Sequence, residues 1–184
     1  MCIRDSSETV PKLEQIVKLV GDRGHGALAA ISASSSPDRA LDSMIRLAEL
    51  DPKPLAKILA KHEQAERLCR VLAMSNGLAD FLLRHPALIA MFTAASKIPS
   101  ATELLKLDDS SQDALKVSYL TQLLRIADFD LGNSDYKAPI QAVTAALSDL
   151  AAGALEAALT LARREVAEEA RYKSEEIQAT ELAI

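Results

Sequence analysis

The chain has 184 residues, of which 49% are hydrophobic and 26% charged, enough apolar content to bury a full core and to exclude wholesale disorder. Trp is absent, aromatics make up 3%, and Ala and Leu dominate over 6 Gly and 7 Pro, a composition that suits a helix bundle and poorly suits a sheet protein, and the predicted fold is all-α. A net charge of −5 with acids and bases interleaved leaves no basic face for counterion release on a duplex, so nucleic acid is not an expected partner.

Cys2 and Cys69 lie too far apart for a disulfide framework or a metal motif, and a reducing cytoplasm is the expected compartment. No apolar stretch of the ~20 residues that span a bilayer is expected, nor a signal peptide, so no membrane partner is expected. Met1-Cys2-Ile3-Arg4-Asp5-Ser6 has no helical period and reads as a non-native leader.

The first helix is predicted over residues 10–20, with Leu13, Ile16, Val17 and Val20 at helical spacing. Gly21, Gly24 and Gly26 should end it in a loop. The cluster lacks Gly-Lys-Ser/Thr and a preceding strand, so it reads as a turn and not as a phosphate cradle. Residues 7–35 thus form an N-terminal helix and a serine-rich linker. Ser36-Pro37 is a cap followed by proline at the first helical position, and the helix it starts should run to Leu50. Its stripe of Leu41, Met44, Ile45 and Ala48 should face inward, and Asp38, Arg39, Asp42 and Arg46 outward.

Asp51-Pro52 repeats the signal for a short helix through Leu55, Ile58 and Leu59. Ala65, Leu68, Cys69 and Leu72 mark the next, which makes Cys69 a core residue before it is a nucleophile. Ser75-Asn76-Gly77 ends that helix and starts another, with Leu78, Phe81 and Leu82 inward, that stops at Arg84-His85-Pro86. Pro86 restarts a helix. His25, His62 and His85 are too dispersed for a local metal motif.

After the polar run at 107–111, a long helix carries Val117, Leu120, Leu124, Ala127 and Leu131 on one stripe. Arg125 shares the opposite side with Ser118, Thr121 and Asp128, and an exposed Arg125–Asp128 pair is expected there, worth a few tenths of a kcal/mol. The last helix should run from Pro139 to about Lys173, ~50 Å at the rise of an α-helix. Ile140, Val143, Leu147, Leu150, Ala154, Ala157 and Leu161 form one seam, and Leu155, Leu159, Ala162 and Val166 a second, so burial on two sides is expected. Gly153 costs about 1 kcal/mol against alanine unless a neighbour needs the space. Residues 179–184 read as a buried strand.

Asp128-Phe129-Asp130 resembles a two-metal carboxylate pair, but on a helix the two side chains diverge by ~200° and cannot share an ion. No nucleophile with a base, zinc cluster or phosphate loop appears elsewhere, so no catalytic, cofactor-binding or metal-ligating residue is assigned.

Leu72-Ala73-Met74-Ser75-Asn76-Gly77-Leu78-Ala79-Asp80-Phe81-Leu82-Leu83-Arg84-His85-Pro86 carries a family likeness. So do Tyr119 with Leu123-Leu124-Arg125-Ile126-Ala127 and Asp130-Leu131, and Leu147-Ser148-Asp149-Leu150-Ala151. From about Pro37 to Ile184 the sequence resembles the N-terminal region of the bifunctional glutamine synthetase adenylyltransferase and adenylyl-removing enzymes. Ser36-Pro37-Asp38-Arg39-Ala40-Leu41, with Ile45-Arg46-Leu47-Ala48-Glu49, is most similar to actinobacterial members. Leu120 and Thr121 depart from the two basic residues that usually follow the tyrosine.

The resemblance implies a helical N-terminal region of the adenylyl-removing half over residues 36–178. It also implies that 179–184 begin a truncated nucleotidyltransferase domain, whose Gly-x-Gly-Lys loop and Ser-Asp-x-Asp motif would follow Ile184. It further implies adenylylation of a tyrosine of glutamine synthetase from ATP, removal by phosphorolysis, magnesium, and control by a PII signal protein. ATP and Mg2+ would serve the full-length enzyme, with none bound by this stretch, which by itself should be inert. Arg84, His85 and Arg125 are then candidates for contacts to the missing C-terminal domains. The competing reading is a free-standing helical scaffold that binds partner helices along its alanine-rich seam.

Overall fold

A computed structural model describes residues 9–21, 23–133, 135 and 137–168. The leader at 1–6, the last helix beyond Glu168 and the strand expected at 179–184 lie outside the described residues. Every regular element among the described residues is helical, which establishes the all-α class. They group into two compact units, the described parts of Met1–Lys97 with Ala127–Tyr136, and of Ile98–Ile126 with Lys137–Ile184.

The first unit begins with α1 (Thr9–Val20), α2 (Arg23–Ser32) and α3 (Pro37–Leu50). Gly21, at φ 70°, ends α1 in the left-handed conformation glycine tolerates, and its N–H donates to the Val17 carbonyl at 2.8 Å. The loop expected to continue through Gly26 is instead the first turn of α2. The low helix propensity of Gly24 and Gly26 is overridden by packing: Ala27, Ala30 and Ile31 are buried, and α2 lies on α1 and α5. In α3 the expected inward stripe is buried and the four charged residues face water.

Asp51 ends α3 and caps α4 (Pro52–Leu59) by accepting from the Lys53 N–H at 3.1 Å. Ser75 separates α5 (His62–Met74) from α6 (Asn76–Arg84) in the same way, accepting from Leu78 N–H at 3.2 Å. The helix expected from Pro86 is a 3-10 helix, Pro86–Thr93. Its two buried side chains, Ile89 and Phe92, are three residues apart, the period that suits three residues per turn. The core of this unit gathers Ile16, Leu41, Met44, Leu55, Ile58, Leu68, Leu72, Phe81 and Leu82, each fully buried and each worth about 1.5–3 kcal/mol.

The second unit contains α7 (Ala101–Leu105), most of α8 (Gln112–Gly132) and α9 (Ile140–Glu168). Sequence reading gave no helix at 101–105, although Ser100-x-x-Glu103 is a capping box: each partner bonds the other's backbone N–H. Leu104, Leu107, Ile126, Ala146, Leu150 and Ala157 form the core. Gly153 has the reason its cost demanded. An added Cβ would overlap the Leu104 carbonyl oxygen and stand 2.8 Å from Leu105 Cα, so only glycine lets α7 approach α9 this closely.

Two expectations about these helices are corrected. On α8 the stripe from Val117 to Leu131 is fully buried only at Leu124, while Ile126 and Asp128, off that stripe, are buried as well. Neighbours therefore cover α8 on more than one side. On α9 the first seam is fully buried at Leu150, Ala157 and Leu161 only, and the second is covered in part: Leu159 and Val166 are half-buried, whereas Leu155 is 43% exposed and Ala162 is exposed. Among the described helices, α9 is also long and apolar enough to cross a membrane, with an 18-residue window of mean hydropathy 1.4, contrary to the expectation that no stretch qualifies. Its leucines and alanines together supply that hydropathy, and its buried Ala146, Leu150 and Ala157 belong to the core described above.

Gly153→Ala should lower stability by roughly 1–3 kcal/mol through overpacking against α7 backbone, despite the better helix propensity of alanine. Gly77→Ala, whose added Cβ meets nothing nearer than Ser75 Oγ at 3.9 Å, should raise it by about 0.5–1 kcal/mol. Urea unfolding of the two variants beside the parent chain checks both signs.

Candidate functional site

One face of α5 carries Gln64 and Arg67 at a spacing of three, and both are buried. Arg67 makes a two-pronged ion pair with Asp128 of α8, Nε donating to Oδ1 at 2.9 Å and Nη2 to Oδ2 at 2.5 Å. The side chains are 6% and 3% exposed. The third guanidinium nitrogen donates to the Ala94 carbonyl at 2.7 Å, and the group lies 5.9 Å from the centre of the Phe92 ring. Gln64 Nε2 donates to the Thr93 carbonyl at 2.8 Å.

One turn further along α5, Arg70 donates to the Leu131 carbonyl at 3.2 Å and also pairs with Glu66 at 3.3 Å. Helix ends leave carbonyls without intrahelical donors, and here α5 supplies them to both the 3-10 helix and the last turn of α8. The expected exposed pair of Arg125 with Asp128 is thus absent. Asp128 is taken by an arginine 61 residues earlier, which spacing along α8 could not show. Asp130 is exposed while Asp128 is buried, the divergence expected of a helix.

Arg84 and His85 end α6 in the first unit. Arg84 is exposed and donates from Nε to the Asp80 carbonyl at 3.3 Å, and His85 is half-buried with its ring centroid 4.8 Å from that of Phe81. Arg125 belongs to the second unit. Its Nη1 bridges Glu103 at 2.8 Å and Gln122 at 2.9 Å, fastening α8 to the capping box of α7. The backbone N–H of Ser100, Arg125 and the Ser100 hydroxyl together pull the Glu103 carboxyl down to about 2. Burial pushes the Cys69 thiol up to about 12, with Glu66 adding to the effect, so this cysteine is a packing residue.

A groove of about 490 Å3 in the second unit runs between Leu115 and Tyr119 of α8 and Ala154, Ala158, Leu161 and Ala162 of α9. Gln112 and Glu165 close its rim with a 3.1 Å hydrogen bond. Among the described residues, the buried Gln64, Arg67 and Asp128 thus tie α5 to the 3-10 helix and to α8, and the class of protein these observations define is all-helical.

Similarity to known proteins agrees with the likeness read in the sequence. The chain is 34% identical over 94% of its length to the bifunctional glutamine synthetase adenylyltransferase/adenylyl-removing enzyme of Leifsonia xyli, covering 19% of that protein. It is 32% identical to the enzymes of the same name from Streptomyces avermitilis, over 74% of this chain and 14% of theirs, and Mycolicibacterium smegmatis, over 76% and 16%. Nearly the whole chain thus corresponds to one segment of this enzyme family, and it spans less than a fifth of the length of these relatives. No family model matches the chain, and no solved structure matches it significantly.

Asp128→Ala should cost about 3–5 kcal/mol, because it leaves the Arg67 charge buried without its partner. Arg67→Met with Asp128→Leu should recover part of that loss, and a double-mutant cycle by urea unfolding measures the coupling. Glu103 has a folded-state value below its unfolded one, so its contribution is present above pH ~4.5 and lost as pH falls towards ~2. Glu103→Gln should therefore flatten the decline in melting temperature across that range, followed by circular dichroism.

Proposed function

We propose that this chain is the N-terminal helical part of a nucleotidyltransferase that adenylylates and deadenylylates glutamine synthetase. The observation that carries this reading is similarity along 94% of the chain to relatives of that name. In this reading the helices pack beside the first nucleotidyltransferase domain and position it, with Arg84 and His85 at the end of α6 turned to that contact. Arg125 acts one step back, by holding α7 against α8 through Glu103. ATP, Mg2+, a PII signal protein and a cytoplasmic setting belong to the proposal for the longer polypeptide.

The residues present do not fit a magnesium site. Both oxygens of Asp128 are engaged by Arg67, and Asp130 points to solvent from another side of the helix. Magnesium in nucleotidyl transfer needs converging carboxylates, so no step of the reaction is assigned to these side chains.

Sequencing onward from the Ile184 codon and expressing the complete reading frame tests the proposal. The expected frame continues into Gly-x-Gly-Lys and Ser-Asp-x-Asp, and its product transfers radiolabelled AMP from Mg-ATP to glutamine synthetase and releases it with phosphate. The 184-residue chain alone should do neither. An in-frame stop after Ile184, or a full-length product that neither labels nor unlabels glutamine synthetase, overturns the reading in favour of a free-standing helical module.

A further inference from the structure

The sequence holds 4 methionines, and the ones within the described residues differ in their access to solvent. Met44 is fully buried and Met91 half-buried, whereas Met74, the last residue of α5, is 54% exposed. Its sulfur is also hydrogen-bonded. The Ser35 hydroxyl, from the linker between α2 and α3, donates to Met74 Sδ at 3.0 Å. An exposed methionine ordinarily samples many rotamers, because its torsions are soft and its thioether is a weak acceptor.

Both partners of this bond are held from behind. Next to Ser35, the buried Ser34 donates its hydroxyl to the Ile31 carbonyl at 2.7 Å, and α3 begins at Pro37. Next to Met74, Arg39 of α3 donates from Nη1 to the Ala73 carbonyl at 2.9 Å, and Ser75 caps α6. Two exposed side chains thus meet because their backbones are anchored.

We propose that Met74 is a site of reversible sulfoxidation by hydroperoxides, and that Ser35 decides which of its two lone pairs takes the oxygen. Oxygen added to one lone pair or the other gives opposite epimers of the sulfoxide. The Ser35 hydroxyl occupies one pair and leaves the other to water. That free pair attacks an oxygen of hydrogen peroxide, and a sulfur–oxygen bond forms as the oxygen–oxygen bond breaks. Sulfur loses two electrons and the peroxide gains them. The proton on the transferred oxygen passes through solvent to the departing hydroxide, which leaves as water. A sulfoxide here uncovers no core, so oxidation falls on a residue that an epimer-specific reductase restores, and the buried Met44 and Cys69 are spared.

The 184-residue chain in a Cys2→Ser background, treated with dilute hydrogen peroxide and digested with trypsin, yields separate peptides for Met44, Met74 and Met91. By mass, Met74 should gain oxygen at least about tenfold faster than Met44, and ahead of Met91. Two reductases, one for each sulfoxide epimer, are then applied to the Met74 peptide. One should reduce about threefold more of it than the other, the bias expected of a weak hydrogen bond. Ser35→Ala should bring the two to equality and raise the Met74 rate by no more than about twofold, since the second lone pair opens. Ser35→Thr, which keeps the hydroxyl, should preserve the excess. Equal epimers in the parent chain, an excess that survives in Ser35→Ala, or Met91 oxidised as fast as Met74 overturns the proposal.

Discussion

The buried pair of Arg67 and Asp128 is the constraint on which the first unit depends. A guanidinium and a carboxylate, each nearly without solvent, are tolerable only where every strong donor and acceptor is matched, and the fold around them is arranged to do so. Two nitrogens go to the carboxylate and the third to the end of the 3-10 helix, with the Phe92 ring beneath. Net stability from such a pair is small, because desolvating both charges offsets most of their attraction. Its effect is to fix geometry: the last turns of α8 can sit in only one rotation about their axis, the one that aims residue 128 at α5. Arg70 then reads the exposed carbonyls that this rotation presents.

The second unit is secured by different means. Its closest contact is between backbones, α7 against α9 at Gly153, and the short α7 holds its shape through the Ser100–Glu103 box and the bridge to Arg125. One unit is pinned by long side chains reaching across gaps, the other by the absence of a side chain where two helices meet. This contrast bears on the proposed scaffold role, because each device fixes position more than it adds stability.

Local signals were legible in the sequence where the cause of a structure is itself local. Ser36-Pro37, Asp51-Pro52 and Ser75-Asn76 marked helix starts that the structure keeps, and the inward stripes read for α3 to α6 are buried, although α5 is buried at Arg67, Val71 and Ala73 as well, where several helices surround it. Residues 23–32 were misread because Gly24 and Gly26 argue against a helix, whereas the packing of Ala27, Ala30 and Ile31 on distant helices decides for one. Asp128 was given the wrong partner for a related reason: the neighbour three residues away was visible and the one in α5 was not. The capping box at Ser100 was legible and overlooked. Gly153 was flagged by its cost, although which backbone needed the space could come only from the fold.

The order of the two ion-pair partners along the chain has a consequence for synthesis. Arg67 emerges from the ribosome 61 residues before Asp128, and the residues between them include the start of the other unit. At the usual rate of about 5–20 residues per second, that interval lasts roughly 3–12 seconds. During it, the nascent helices 9–84 can collapse on their apolar faces, but Arg67 has not yet met its carboxylate. The native arrangement of this unit is therefore completed late, by a carboxylate delivered from downstream.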